Sequence, residues 1–211
     1  MATAVHRSPP EAIRAAIIEA TIRLIGREGV DGITHRAVAH EAGVSLSSTT
    51  YHFASRDEIV TEALRRVADL EIERIALDAE ALVEGHADVA SIARALTAWL
   101  TEQVTGDDLV RVRAGYHLQL EAARRPELRA IHVEWGQAVH GLAERVLRAA
   151  GSPRPHTDAG ILSSAIDGMR LDEVTAPRPD FERRARPVIE RLLSILTAPG
   201  TPPHCAGRAS P

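Results

Sequence analysis

The chain of 211 residues contains no Lys and no Asn, so all 25 of its basic residues are Arg. Aromatic residues are scarce at 3%, although hydrophobic residues together reach 45%. A core of ordinary size must therefore consist of aliphatic side chains. The missing residue types indicate a coding bias, and we draw no functional conclusion from them.

Cysteine and long apolar runs are scarce as well. The single cysteine, Cys205, excludes an internal disulfide, and its tail rich in Pro, Gly and Ser predicts an exposed thiol without a catalytic role. No apolar run approaches the roughly 20 residues that cross a bilayer, and the N-terminus lacks the apolar segment of a signal peptide. We therefore expect a cytoplasmic protein with no membrane partner.

The motifs of several enzyme classes are also absent. None of the ten His residues has Glu three positions before it, which excludes the Glu-x-x-His pairs of di-iron helical bundles. There is no His-Glu-x-x-His, no Walker loop, no Gly-x-Ser-x-Gly and no Cys pair. We therefore expect a protein that is not an enzyme, with no catalytic residues, no metal ligands and no cofactor.

What the chain does contain is helical periodicity along its whole length, without a run that alternates as a strand does. A Ser-x-x-Glu capping box, formed by Ser8 and Glu11, opens the first helix with Pro9 at its first position. Pro187 is expected to kink the last helix or to mark its true start. Further helices are predicted over about 34–42, 45–52, 55–82, 88–105, 107–125, 126–150, 157–174 and 180–197.

Two of the short helices form a helix-turn-helix. Thr34 and Ser45 are suitable N-caps, and Gly43 between the helices can adopt the left-handed conformation of a tight turn. Ala39, four residues before the glycine, is small enough to let the helices approach each other. The segment 45–51 is then free to enter a major groove.

Three stretches near this motif carry a family resemblance. Gly43-Val44-Ser45, Tyr51-His52-Phe53 and Ser55-Arg56-Asp57-Glu58-Ile59 resemble the N-terminal domain of TetR-family transcriptional regulators. The resemblance covers roughly residues 10–70 and extends over the remainder as an all-helical layout. It departs from the family at positions 49 and 50, where both residues are Thr and the family usually has a bulky apolar residue and then Tyr.

The resemblance implies an all-α fold with an N-terminal three-helix helix-turn-helix domain and a C-terminal helical bundle for ligand binding and dimerisation. We expect the first domain at 8–54, a long connecting helix at 55–84, the bundle at 85–198 and a disordered tail at 199–211. The implied function is that of a homodimeric repressor on a palindromic double-stranded DNA operator. An unknown small-molecule effector would release it.

Two kinds of DNA contact are predicted. Phosphate contacts set the position of the protein on the duplex, whereas contacts to base edges read its sequence. Arg36 is the first candidate for base reading, because its guanidinium matches guanine O6 and N7. Further base-reading candidates are His35, Leu46, Ser47 and Ser48. The candidates for phosphate contact are Thr34, Ser45, Thr50, Tyr51, His52 and Arg56.

The ligand side is predicted from scarce aromatic residues and inward polar groups in the C-terminal half. Large apolar side chains can shape a pocket, and a few polar groups orient its ligand. Gly136 lies between two of the polar candidates and would leave room for a ligand. The candidates are Trp99, Tyr116, Gln119, His132, Trp135, His140 and Met169.

The last two helices carry apolar stripes that the resemblance assigns to a four-helix dimer interface, although both stripes can also contribute to the subunit core. Small residues on the first helix, at positions 160, 164 and 168, would allow close approach of two backbones. The first stripe comprises Ile161, Leu162, Ala165, Ile166 and Met169. The second stripe comprises Ile189, Leu192, Leu193 and Leu196.

A second interpretation stays open at this point. The net charge is −4, and the first 60 residues carry six Arg against seven acidic residues, which is not the balance of a typical DNA-binding domain. Together with Thr49 and Thr50, this favours a helical protein-interaction module with a degenerate helix-turn-helix. Such a module would not bind any DNA sequence specifically.

Overall fold

The computed structural model describes residues 9–83, 88–106 and 108–199. These residues form nine α-helices and one 3-10 turn, Val30–Gly32, and contain no strand, so the predicted all-α fold class is confirmed. The predicted cap Ser8, the end of the connecting helix at residue 84, Asp107 and Cys205 in the tail lie outside the described residues. The helices are α1 Pro9–Glu28, α2 His35–Ala42, α3 Leu46–His52, α4 Arg56–Val83, α5 Val89–Thr105, α6 Leu109–Arg124, α7 Pro126–Ala149, α8 Pro155–Thr175 and α9 Phe181–Leu196.

Side-chain caps explain why several helices begin where they do. The hydroxyls of Thr34, Ser45 and Ser55 each accept a 3.1 Å hydrogen bond from the backbone N–H three residues later. Asp88 and Ser91 form a reciprocal capping box that opens α5. These bonds satisfy N–H groups that have no partner within the helix, so the starts of the helices follow from local sequence.

Helix α8 begins two residues before its predicted start, and one of the two alternatives predicted for Pro187 is wrong. Helix α8 begins at Pro155, because proline suits the first helical position, and Asp158 is instead buried with its carboxylate 2.9 Å from the Ser152 hydroxyl. Helix α9 begins at Phe181 and runs through Pro187, which therefore does not mark its start. Burial of Phe181 and Ile189 in the core stabilises this helix despite the missing backbone N–H of the proline.

One hydrophobic core connects the helix-turn-helix region to the C-terminal bundle. Helix α4 packs against α1 at one end and against α7 over much of its length, while α1 also packs on α6. The contact between α1 and α6 depends on Gly26, where a Cβ would lie only 2.1 Å from the Val110 carbonyl oxygen. No helix in the described part of the chain is long and apolar enough to span a membrane.

Candidate nucleic-acid interface and internal pocket

The turn between α2 and α3 has the geometry that the sequence predicts. Gly43 adopts the left-handed conformation, with φ 67° and ψ 29°. Its N–H donates to the His40 carbonyl, and the Val44 N–H donates to the Ala39 carbonyl at 3.0 Å. Because Ala39 is buried and small, α3 can turn sharply away from α2 and leave one of its faces uncovered.

The uncovered face of α3 consists of Leu46, Ser47, Thr50 and Tyr51, which are spaced as one side of a helix. Tyr51 is 82% exposed and Leu46 is 48% exposed, which is unusual for large apolar or aromatic side chains. The opposite face is buried through Thr49, whose hydroxyl donates to the Leu46 carbonyl at 2.8 Å. Thr49 is therefore part of the packing between the two helices.

Arg36 is distinct among the arginines of this region. Arg23 and Arg27 both bind the Glu41 carboxylate, at 2.8 and 2.6 Å, and Arg14 binds Glu62 at 2.7 Å. Within the described residues up to position 60, Arg36 is the one exposed guanidinium without a protein partner. It is therefore free to bind an external acceptor.

Three of the predicted DNA contacts are half-buried and already contact other side chains. His35 is half-buried between α2 and α3, with its Nδ1 3.3 Å from the Thr49 hydroxyl oxygen. Ser48 is half-buried and its hydroxyl lies 2.8 Å from that of Ser45. His52 is half-buried and makes an edge contact with the Tyr51 ring at 5.1 Å between ring centroids.

The predicted phosphate contact of Arg56 conflicts with the contacts that its side chain makes. Its Nε donates to the Ile33 carbonyl at 2.8 Å, and its Nη2 donates to the Val30 carbonyl at 2.6 Å. The third group, Nη1, lies 3.3 Å from the Asp57 carboxylate. Arg56 thus ties the start of α4 to the turn that precedes α2, because both acceptor carbonyls belong to residues at the two ends of that turn.

A partly open cavity of about 260 Å³ lies in the C-terminal bundle. Four of the predicted ligand-binding residues line it, namely Trp99, Gln119, His132 and Trp135, and Gly136 forms part of the wall. The charged residues of the lining were not predicted from the sequence, because nothing in their local spacing distinguishes them from surface charges. These residues are Glu71 and Arg74 on α4, and Asp167 and Arg170 on α8.

The other three predicted ligand-binding residues do not line this cavity. The lining residues of α8 lie on one face of the helix, and Met169 projects from another. His140 lies between the lining residues Val139 and Leu142 along α7 but does not line the cavity, and its ring contacts that of His156. Tyr116 faces a different surface depression, and its hydroxyl oxygen lies 3.2 Å from the Asp167 carboxylate.

A network of ion pairs forms the polar side of the cavity. The buried Glu71 carboxylate accepts from Arg74 at 2.6 Å and from Arg111 at 3.0 Å. Both guanidiniums also bind Asp108, at 3.1 and 2.8 Å. The network therefore joins α4 to the beginning of α6, and it compensates charges that burial would otherwise destabilise.

The same network reaches α8 through one amide. The Gln103 side-chain oxygen accepts from Arg74 at 3.0 Å and from Arg170 at 3.1 Å. Arg170 also binds Asp167 at 3.0 Å and donates to the Tyr116 hydroxyl at 3.3 Å. Burial raises the pKa of Tyr116 to about 12, so its hydroxyl stays protonated at neutral pH.

Two ring nitrogens in the cavity lining lack a protein partner. The Nδ1 atom of His132 and the Nε1 atom of Trp135 are buried, and neither makes a hydrogen bond within the described residues. The two rings lie 6.2 Å apart between centroids. Trp99 differs from Trp135, because its Nε1 donates to the Asp78 carboxylate at 2.7 Å.

The predicted dimer stripes are divided between core and surface. Leu162, Ile189, Leu193 and Leu196 are buried within the subunit, which agrees with the core alternative for these four residues. They lie on the faces of α8 and α9 that close the core. Ile161 of the first stripe is exposed, as are Leu171, Val188 and Ile195 on the same two helices, each between 46 and 54% exposed.

Two family models match the chain and together cover most of it. The model of the bacterial regulatory proteins of the tetR family matches residues 17–63, which include the helix-turn-helix. The model of the tetracyclin repressor-like C-terminal domain matches residues 87–195, which is about half of the chain.

Individual relatives agree with this assignment. The nicotine-responsive transcriptional repressor HdnoR of Paenarthrobacter nicotinovorans is 30% identical over 113 residues, which cover 54% of this chain and 56% of that protein. The chain thus matches little more than half the length of that relative. The transcriptional regulator BetI of Burkholderia thailandensis is 25% identical over 88% of this chain and 94% of its own length.

Solved structures resemble the chain over most of its length. A TetR-family member from Streptomyces coelicolor, SCO1917, is 37% identical, with a TM-score of 0.66 over 85% of this chain and 97% of its own. The multidrug binding protein EbrR in complex with ethidium is 37% identical, with a TM-score of 0.63 over 85% of this chain and 98% of its own. The chain therefore belongs to the TetR family and is a helix-turn-helix transcriptional regulator.

Proposed function

We propose that the protein is a homodimeric repressor that binds a palindromic operator through α2 and α3 and leaves it when a small molecule fills the internal cavity. The observation that carries this proposal is the exposed face of α3 beside the unpaired guanidinium of Arg36. Polar and apolar groups that are left without a protein partner in this motif are available to a DNA groove.

Each group on this face has a role that its chemistry supports. Arg36 would pair with a guanine edge, and Leu46 would contact a thymine methyl. Ser47 would contact a base edge, because it is exposed at the same surface. Tyr51 would donate its hydroxyl to a phosphate, and Thr50 would do so by turning its hydroxyl away from the Leu46 and Ser47 carbonyls. The half-buried His35, Ser48 and His52 would hold α3 in place, as Arg56 would through its bonds to the turn before α2.

The scarcity of unpaired arginines in the N-terminal region of one subunit supports dimerisation. Because most arginines of the N-terminal region are paired within the protein, few remain for phosphates, and two subunits are needed for firm binding. The exposed apolar face of α8 and α9 supports an interface, and the small residues Gly160, Ser164 and Gly168 beside it permit close approach. A twofold arrangement would place two α3 helices on successive major grooves.

The cavity supports binding of a small planar ligand with a hydrogen-bond acceptor. Its volume of about 260 Å³ lies just below the range of roughly 300–1,000 Å³ that drug-sized ligands occupy. Two tryptophan rings offer flat apolar contacts, and the unpaired Nε1 of Trp135 offers a donor. The relative EbrR, described as multidrug binding, forms complexes with imidazole, ethidium and proflavin, which supports this class of ligand.

Helix α4 provides a connection between cavity and DNA. It contributes Glu71 and Arg74 to the cavity, and it carries Asp57 in its first turn. The Asp57 carboxylate binds Arg125 at the junction of α6 and α7, at 3.3 Å, and also binds Arg56. A ligand that moves α4 or this junction would therefore change the position of α2 and α3, provided that it prefers the state that does not bind DNA.

The test begins with selection of the purified protein against a random duplex library at modest salt. We expect enrichment of a palindromic sequence, and Arg36→Ala should weaken its binding while His40→Ala, on the same helix, should not. Failure of a folded dimer to enrich any sequence would contradict the proposal and favour the protein-interaction interpretation.

Ligands can then be found without a label. The chain has two tryptophans, and both line the cavity, so quenching of intrinsic fluorescence reports occupancy of this site. A planar aromatic compound that quenches the fluorescence should also release the selected duplex. Trp99→Phe and Trp135→Phe would show which ring responds. A quenching compound that leaves DNA binding unchanged would contradict the proposed coupling.

A further inference from the structure

A cluster of two histidines and one glutamate lies where α7 passes the start of α8. His140 and Glu144 are four residues apart on α7, and His156 is the second residue of α8. The His156 Nδ1 atom lies 3.0 Å from the Glu144 carboxylate, and the rings of His140 and His156 are 5.1 Å apart. One ligand atom from each residue lies within 4.8 Å of the other two.

The remaining contacts of these side chains do not account for their grouping. His140 makes no hydrogen bond through its ring nitrogens within the described residues, although it is half-buried. Glu144 is also half-buried, and its second partner is Arg148.

We propose that His140, Glu144 and His156 bind a divalent transition-metal ion that links α7 to α8. Two imidazoles and one carboxylate form a ligand set that suits Zn²⁺, Ni²⁺, Cu²⁺ and Co²⁺, and a fourth position would be left to water. Mg²⁺ and Ca²⁺ prefer oxygen ligands, so they are not expected to bind. This site is separate from the cavity, and the proposal does not depend on the protein's operator or effector.

The geometry needs only a small adjustment to hold an ion. Bonds of about 2.0–2.2 Å place ligand atoms some 3–4 Å from one another around Zn²⁺, which is closer than the widest spacing in the cluster. The side chain of His156 is 80% exposed and can turn inward without disturbing the core. Arg148 is the competitor, because it occupies Glu144 and its positive charge repels a cation.

The experiment uses full-length protein without an affinity tag, stripped with a chelator and titrated with Co²⁺ and then Zn²⁺. We expect one ion per subunit, with visible Co²⁺ absorption bands that Zn²⁺ abolishes and that Mg²⁺ does not. His140→Ala, His156→Ala and Glu144→Gln should each weaken binding at least tenfold. Arg148→Ala should strengthen it, since the competitor for Glu144 is removed.

Matched controls separate this site from other histidines of the chain. His40→Ala removes an exposed histidine of α2, and Glu134→Gln neutralises an exposed carboxylate of α7; neither should change the affinity. Zn²⁺ should raise the Tm of the wild type and of both controls, but not that of the three ligand variants. The proposal is overturned if the wild type binds no Co²⁺ or Zn²⁺, or if folded His140→Ala and His156→Ala proteins bind as tightly as the wild type.

Discussion

The arginine on the exposed face of α2 and α3 is unpaired, whereas the arginines in the polar wall of the cavity are paired. Arg36 is exposed and unpaired, whereas Arg74 and Arg170 of the cavity each contact several acceptors. Water solvates an exposed guanidinium until DNA replaces it, but a buried charge must be compensated within the fold. The same residue type is therefore available for recognition in one region and serves architecture in the other.

Three buried nitrogens of the cavity lining depart from this contrast, and Arg74 Nε is one of them. The ring nitrogens of His132 and Trp135 are buried and have no partner within the described residues. An unpaired buried donor costs about 1–3 kcal/mol, and a ligand that supplies an acceptor would recover part of that free energy. The cavity thus combines an architectural network with two positions that favour a ligand.

The largest expected effect comes from removing a buried charge of the ion network in the cavity. Glu71→Gln should lower the free energy of unfolding by about 3 kcal/mol or more, because Arg74 and Arg111 lose the buried carboxylate between them. Urea denaturation measures this change. Glu73→Gln, an exposed neighbour on α4, should change stability by no more than about 0.5 kcal/mol. Equal effects of the two variants would contradict the assigned role of Glu71.

The next largest effect comes from removing the unpaired guanidinium of Arg36. Arg36→Ala should weaken operator binding by about 1–3 kcal/mol per subunit and relax the preference at one base position of each half-site. Stability should stay unchanged, because the guanidinium has no partner in the described structure. Binding is measured on the selected duplex and on single-base variants of it. If Arg36→Ala weakened binding equally on all duplex sequences and reduced the salt dependence of binding, Arg36 would instead contact a phosphate.

A smaller effect is expected at the contact of Asp57, which in the proposed coupling connects the cavity to the helix-turn-helix. Asp57→Asn should change the free energy of unfolding by less than about 1 kcal/mol, because the carboxylate is exposed. The ligand-induced loss of operator affinity should nevertheless shrink by about 0.5 kcal/mol or more. Asp69→Asn, an exposed residue of α4 that makes no ion pair in the described structure, is the control. An unchanged ligand response in Asp57→Asn would remove this pair from the proposed coupling.

The smallest effect is confined to alkaline pH. The pKa of Tyr116 is raised by burial to about 12, so the unfolded chain loses this proton at lower pH than the folded protein does. The contribution of Tyr116 to the free energy of unfolding is present below about pH 10 and is lost as the pH rises through 12. The chain has no Lys, which leaves few other groups to titrate in this interval. In a Tyr51→Phe background, Tyr116→Phe should flatten the decline of Tm with pH; an equally steep decline would be the contrary result.

The order and type of the helices could be predicted from the sequence because their signals are local. Caps at Thr34, Ser45 and Asp88 and the left-handed Gly43 are properties of a few consecutive residues, and they act before any tertiary contact forms. The helix-turn-helix and the family resemblance followed from the same short stretches. Pro187 lies inside α9 rather than at its start, because burial of one face of α9 outweighs the local cost of the proline.

The candidate site was predictable only in part. Trp99 and Trp135 could be assigned to a pocket because large aromatic side chains are rare in this chain and face inward. The ion network around Glu71 could not, because its members lie on α4, α5, α6 and α8 and are ordinary surface residues in pattern. Their pairing depends on distances between helices that no local spacing encodes.

The sequence by itself determined the helical fold, the turn of the helix-turn-helix and the composition of its exposed face, since periodicity and capping act over one or two helical turns. Tertiary structure alone decided that Arg56 binds backbone carbonyls, that Arg36 stays free and that Leu162 belongs to the core. It also decided the grouping of His140, Glu144 and His156. The physical reason is that pairing and burial depend on which helix faces pack together, and packing is settled by the whole core at once.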